Sequence, residues 1–139
     1  MKKFILALLI TGFSTTGNAF SGSELLSQCN HFVQILEGGQ TELQATLQAG
    51  LCGGYVLGVQ EGFIASSGLA DMVSEGKGTP SVTKQYWDIP ADIESEKIVR
   101  IVVRYLQINP DMQNKPAVLS VINALRQTYP SKQRIVNKE

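Results

Sequence analysis

Residues 41–65, TELQATLQAGLCGGYVLGVQEGFIA, carry the longest apolar pattern of the 139-residue chain. The apolar side chains recur at steps of three and four residues, which is the period of an α-helix. They are Leu43, Leu47, Leu51, Cys52, Tyr55, Val56, Val59 and Phe63. The pattern therefore predicts one long helix, and its neighbours in the fold must pack against it.

Four glycines of this segment are spaced by four residues, namely Gly50, Gly54, Gly58 and Gly62. On a helix they line one side, and each costs about 1 kcal/mol relative to alanine. The close approach of another helix or of another protein chain must offset that cost. Our first interpretation is helix packing within the domain, and the alternative is a groove that receives a partner.

Three further helices are expected around this one. A helical stripe from Leu25 to Leu36 predicts the first, with Ser23 as its N-cap and Gly38-Gly39 as its end. Residues 94–107 predict the third helix, and residues 116–128 the fourth. Because no segment alternates as a strand does, we expect an all-α fold, a compact bundle of about four helices.

A long loop is predicted between the second and third helices, over residues 66–90, because the apolar period is lost there. Its aromatic and acidic side chains are typical of a protein-binding surface. The candidate contact residues are Asp71, Met72, Glu75, Tyr86, Trp87 and Asp88. The alternative for Trp87, the single tryptophan, is that its ring folds back over the helical core.

The amino terminus has the pattern of a cleavable export signal. Lys2 and Lys3 precede an apolar run, and Gly17 and Ala19 supply small side chains before the expected cut. An uncleaved anchor is the alternative, but about ten apolar residues rise only about 15 Å, half the thickness of a bilayer core. We therefore expect residues 1–19 to be removed and residues 20–139 to form one soluble domain in the periplasm.

Cleavage leaves ten basic against 12 acidic residues, a balance that argues against nucleic acid as a partner. It also leaves two cysteines, Cys29 and Cys52, which we expect to be bridged in an oxidising compartment. Two free buried thiols are the first alternative. A metal site with His31 is the second, but it would lack a fourth ligand.

Side chains that could support catalysis are few. His31 is the only histidine, the carboxylates are dispersed, and the glycines lie within a helical pattern instead of a phosphate-binding loop. We therefore expect a binding protein with no catalytic residue, no metal and no cofactor.

Two motifs resemble a known family, the Rap/Tai-type immunity proteins of type VI secretion. The first is Leu-Cys-Gly-Gly-Tyr-Val-Leu-Gly-Val at residues 51–59; the second runs from Ile98 to Leu106 into Asn109-Pro110, followed by Pro116-Ala117 and Ala124-Leu125. The resemblance covers residues 23–130. It implies a small exported helical protein, often a dimer, that binds and blocks a peptidoglycan amidase delivered into the periplasm.

The chain departs from the family pattern at three positions, one of which is Glu94, in place of the threonine that usually caps the third helix. Many relatives carry cysteines where this chain has Asp88 and Ser131. If those cysteines form a second bridge, its joint loss leaves Cys29 paired with Cys52. A periplasmic stress chaperone is the rival function, because a small helical protein with one disulfide can open in acid and hold unfolded clients.

Overall fold

The computed structural model describes residues 19–39, 42–74 and 86–131. Four α-helices follow in order, α1 at Gly22–Leu36, α2 at Leu43–Ser74, α3 at Ser95–Ile108 and α4 at Ala117–Thr128. A short 3-10 helix, η1 at Pro110–Asn114, joins α3 to α4. Extended pairing within the described ranges is limited to two isolated bridges, Ser21 with Pro116 and Trp87 with Pro130. The predicted all-α bundle of four helices is confirmed.

Helix α1 begins and ends with local capping motifs. Its N-cap is Ser21, where we predicted Ser23. The Glu24 backbone N–H donates to the Ser21 hydroxyl (3.3 Å), and the Ser21 backbone N–H donates to the Glu24 carboxylate (2.8 Å). At the other end Gly38 takes φ of 81°, and its N–H reaches the Ile35 carbonyl (3.1 Å). The predicted Gly38-Gly39 stop is therefore confirmed.

Helix α2 extends to Ser74, so the prediction of a loop from residue 66 is wrong for its first nine residues. Ser66 and Ser67 cause no break, because both hydroxyls donate to the Phe63 carbonyl of their own helix (2.9 and 2.7 Å). The apolar spacing also continues through Leu69 and Met72. Residues 66–74 of the predicted loop are thus helical, and residues 75–85 lie outside the described residues.

The first turn of α4 is capped by distant parts of the chain. Pro116 stands at its N-cap and supplies no side-chain hydrogen bond. Instead the Ala117 N–H donates to the Phe20 carbonyl (2.8 Å), and the backbone of Val118 lies next to the Tyr55 phenol. Burial raises the pKa of Tyr55 above its usual value, and the Val118 backbone partly opposes that rise. These contacts tie α4 to the start of the domain and to α2.

The core lies where the inner sides of all four helices meet. The bridge between Cys29 and Cys52 joins α1 to α2 with both residues fully buried, as we predicted. Around it the buried side chains form one cluster that includes Leu25, Val56, Val99, Val102, Leu106, Val121 and Leu125. Within the described residues, no helix has the length and hydropathy required to cross a membrane.

Candidate partner-binding surfaces

The structure separates two of the predicted contact residues, Met72 and Tyr86. Met72 is 70% exposed near the end of α2. Tyr86 instead packs its ring on Phe63, with 5.2 Å between the ring centroids. Phe63 and Met72 are nine residues apart, which is two and a half helical turns, so they project from opposite sides of α2. Asp71 lies in α2, and Glu75 lies outside the described residues.

Trp87 belongs to the core. Its side chain is 2% exposed, its ring centroid lies 4.3 Å from that of Phe63, and its backbone pairs with Pro130. The Asp88 N–H fixes the same segment by donating to the Tyr129 carbonyl (3.0 Å). The alternative interpretation, a ring folded over the helical core, is therefore the one that the structure supports.

The exposed surface beside Trp87 is a groove of about 310 Å³ between the entry to α3 and the end of α4. We call it the acidic groove, and it is lined by Pro90, Asp92, Ile93, Glu94, Lys97 and Tyr129. Asp92 and Glu94 are both exposed, and so is Asp88, which precedes them in the chain. Tyr86 is half-exposed. Four candidate contact residues, Tyr86, Asp88, Asp92 and Glu94, thus lie along one short stretch of chain.

Asp92 and Glu94 were not among the predicted contact residues, because acids at the start of a helix are explained by capping and by the helix dipole. Glu94 does occupy the N-cap of α3, but its side chain makes no capping hydrogen bond. The signal that was available is their spacing, since Asp88, Asp92 and Glu94 follow one another within seven residues.

A second surface is the outward side of α2. Glycines form its middle and large apolar side chains its two ends. We call this surface the α2 outer face. It contains the exposed residues Leu47, Leu51, Gly54, Gly58, Gly62, Leu69 and Met72. An added Cβ at Gly54, Gly58 or Gly62 would meet nothing within 4 Å. Our first interpretation of these glycines, packing within the domain, is therefore wrong.

The glycine of α2 that permits close packing within the domain is Gly53. It is buried, and a Cβ placed on it would lie 3.3 Å from the Phe32 ring of α1. It follows Cys52, so the bridge and this close contact hold the same stretch of α2 against α1. Gly53 thus lies on the inner, packed side of α2, and Gly54, the next residue around the helix, lies on its outer side.

Away from these two surfaces, ion pairs of Arg100 join α3 to the end of α1. Arg100 on α3 pairs with Glu37 at the end of α1 and with Glu96 one turn before it, both at 3.1 Å. These pairs raise the pKa of the Arg100 guanidinium above its usual value. Within residues 19–39, 42–74 and 86–131, no three histidine, cysteine or acidic side chains are grouped as metal ligands.

Comparison with known proteins identifies the family of the chain. The family model described as Rap1a immunity proteins matches residues 21–131. The matched span begins at the N-cap of α1 and ends one residue after the bridge of Trp87 with Pro130, so it includes all four helices. No curated protein and no solved structure gives a significant match.

Proposed function

The chain belongs to the family of Rap1a immunity proteins, and from this premise we propose that it neutralises a peptidoglycan amidase in the periplasm. Family membership supports the general function, which is binding of a secreted toxin. The amidase is the toxin class that the resemblance at residues 51–59 and 98–110 implies. The family match over 111 consecutive residues, from 21 to 131, is the observation that carries the proposal.

The periplasmic location is supported by the export pattern of residues 1–19 and by the bridge of Cys29 with Cys52. Disulfides persist in oxidising compartments and are rare in the reducing cytosol. A periplasmic amidase would act on the cell wall in the same compartment.

We place the toxin contact at the acidic groove and at Tyr86, which precedes the groove residues along the chain. A half-exposed aromatic ring can anchor a partner while exposed carboxylates steer it by charge. Groups that lie in the core, such as Trp87, then act by holding this segment in place. The blocked region of the toxin would be the cleft that admits the cell-wall peptide, with basic side chains near its mouth.

The function is tested with mature protein, residues 20–139, and a purified amidase from the same secretion system. We expect a complex in calorimetric titration, loss of peptidoglycan cleavage in that complex, and survival of cells that express both proteins in the periplasm. Absence of a complex together with absence of protection would refute the proposal.

The contact surface is tested with Asp92→Asn combined with Glu94→Gln. Loss of two carboxylates should weaken amidase binding at least tenfold and flatten its dependence on salt, because the steering charge is gone. The matched control is Glu42→Gln with Asp111→Asn, which removes the same charge from exposed positions elsewhere. Equal affinity of the two double variants would exclude the acidic groove.

The rival function, a stress chaperone, is favoured by the exposed apolar residues of the α2 outer face. It requires that acid open the domain to expose still more apolar surface. The single tryptophan is a convenient reporter, because Trp87 is buried and its near-ultraviolet dichroism depends on fixed packing. Retained dichroism at about pH 2 to 3 would exclude a chaperone of this kind.

A further inference from the structure

We propose that the acidic groove continues along α3 into a second groove, and that the two together receive one segment of the toxin, basic at one end and acidic at the other. This occupant rests on the proposed function, and it names the chemistry by which the toxin would be recognised. The lining, the alignment and the charges of the two grooves support it.

The second groove has a volume of about 290 Å³ and lies between the second half of α3 and the last turns of α4. We call it the α3–α4 groove, and it is lined by Ile101, Arg104, Tyr105, Ile108, Ala124, Gln127 and Thr128. Ala124 is buried, whereas Ile108 is 64% exposed. The groove therefore presents apolar side chains to solvent, and burial of such side chains by a partner is favourable.

The two grooves follow one another along one side of α3. Five residues of α3 and its N-cap recur at steps of three and four, so they form one stripe along the helix. They are Glu94, Lys97, Ile101, Arg104 and Ile108. The first two line the acidic groove, and the other three line the α3–α4 groove. On the α4 side the neighbours Tyr129 and Thr128 line the acidic groove and the α3–α4 groove respectively, so the two grooves adjoin.

The charge changes sign along this stripe. The acidic groove has two exposed carboxylates, Asp92 and Glu94, against one lysine, Lys97. Among the described residues that line the α3–α4 groove, Arg104 is the only charged one. Ten residues of helix separate Glu94 from Arg104, a rise of about 15 Å, which exceeds the Debye length of about 8 Å at physiological salt. The two ends therefore attract opposite charges on a partner without cancelling each other.

Arg104 is available to a partner. Arg100, one turn earlier on α3, is engaged by Glu37 and Glu96. Arg104 is exposed and, within the ranges that the structure describes, forms no ion pair of this kind. A guanidinium binds a carboxylate well, because two parallel N–H groups can donate to its two oxygens. The α3–α4 groove therefore suits a carboxylate that is flanked by apolar side chains.

The length of the joined grooves suits a peptide segment. The stripe from Glu94 to Ile108 rises about 21 Å, which is the length of about six extended residues. A toxin segment bound at the acidic groove extends directly onto the α3–α4 groove, because the two adjoin. The chain's own residues 132–139 are a poorer occupant, since they carry three basic side chains against one carboxylate and Arg104 would repel them.

The experiment uses mature protein, residues 20–139, and three capped eight-residue peptides with leucines at their centre. The bipolar peptide has two lysines at one end and two glutamates at the other. The second peptide has glutamates at both ends, and the third has lysines at both ends. In titrations followed by the NMR shifts of backbone amides, we expect the bipolar peptide to bind at least fivefold more tightly than the others and to shift amides from Lys97 to Ile108.

The test variant is Arg104→Glu, which reverses the charge of the α3–α4 groove. It should weaken the bipolar peptide at least fivefold and strengthen the peptide with lysines at both ends. The matched control is Arg126→Glu, because Arg126 is exposed and lies about 200° from Ala124 around α4. The control should keep the wild-type order of the three peptides. If Arg104→Glu does not fold, Arg104→Gln replaces it and should lose the preference without reversing it.

An unchanged order of peptides in the Arg104 variant would overturn the proposal. Equal binding of the bipolar peptide and the one with two acidic ends would also overturn it, since the groove would then be a site for anions alone. Calorimetric titration with the amidase separates this proposal from the proposed function. An amidase that binds wild type and Arg104→Glu equally refutes the second groove and leaves the toxin function standing. Peptide selectivity without an amidase complex refutes the toxin function and supports the chemistry of the groove alone.

Discussion

At the scale of single residues, the glycines of this chain serve opposite purposes. Gly22 is buried at the start of α1, where an added Cβ would collide with the Met112 carbonyl of η1. Gly50 is exposed, and a Cβ there would meet nothing within 4 Å. The first glycine is required by a close approach of two backbones, whereas the second only lowers the helical propensity of α2.

Gly22→Ala should therefore lower the free energy of unfolding by about 1 to 3 kcal/mol, because η1 must move away from α1. Gly50→Ala should raise the same quantity by up to about 1 kcal/mol. Urea titrations followed by helical dichroism measure both. Equal effects of the two substitutions would mean that the contact of Gly22 with η1 is unimportant for stability.

Trp87 shows how burial changes the meaning of an aromatic residue. Trp87→Ala should destabilise the domain by about 3 to 5 kcal/mol, because the ring fills space against Phe63. Tyr86→Ala should cost much less, since Tyr86 is 39% exposed. Thermal unfolding of both variants tests this. A small loss for Trp87→Ala would show that its ring contributes little to the core.

At the scale of elements, local signals identified most helix ends and missed two, the start of α1 and the end of α2. Gly38 and the pair Asn109-Pro110 act within a few residues, so the ends of α1 and α3 are predictable from sequence. The end of α2 was missed because Ser66, Ser67 and Gly68 resemble a loop. The Ser66 and Ser67 hydroxyls donate to the Phe63 carbonyl of α2, and these bonds form only once the helix exists.

The capping box of α1 should make the helix sensitive to acid. Hydrogen bonds from the Ser21 backbone and hydroxyl lower the pKa of Glu24 below its usual value of 4.5. A lowered pKa in the folded state means that the stabilisation is complete above pH 4.5 and is lost as the pH falls through the folded value.

The variant Glu24→Gln tests this, because its side chain can still accept from Ser21 but does not titrate. Thermal unfolding temperatures between pH 7 and pH 3 should decline less steeply for the variant than for the wild type. Parallel curves for the two proteins would exclude a contribution of this carboxylate to acid sensitivity.

At the scale of the whole molecule, what sequence could not reveal is the pairing of distant segments. The bridge of Trp87 with Pro130 brings two stretches together that are 43 residues apart, and no local pattern marks it. This pairing moves Trp87 into the core and separates Tyr86 from Met72. The fold class was predictable because the spacing of apolar side chains is a local property of the sequence. The shape of a surface depends instead on such long-range contacts.

The disulfide is the strongest long-range tie for which a magnitude can be given. Closing a loop of about 24 residues should stabilise the domain by about 3 kcal/mol through the entropy of the unfolded chain. Cys29→Ala combined with Cys52→Ala should lose about that amount, as should reduction of the wild type, in guanidinium titrations. An unchanged unfolding midpoint after reduction would show that packing alone holds α1 against α2.

The position of Phe20 in the fold would set an order of events during biogenesis if residues 1–19 are removed. Its ring packs on Tyr55 at 4.9 Å between centroids, and its carbonyl accepts from the first N–H of α4. If export removes residues 1–19 as we propose, the peptidase must reach the bond that immediately precedes Phe20. Maturation would then come before folding. A chain that stays uncut would be slower to complete α4, because the first N–H of this last-synthesised helix donates to the carbonyl of the first mature residue.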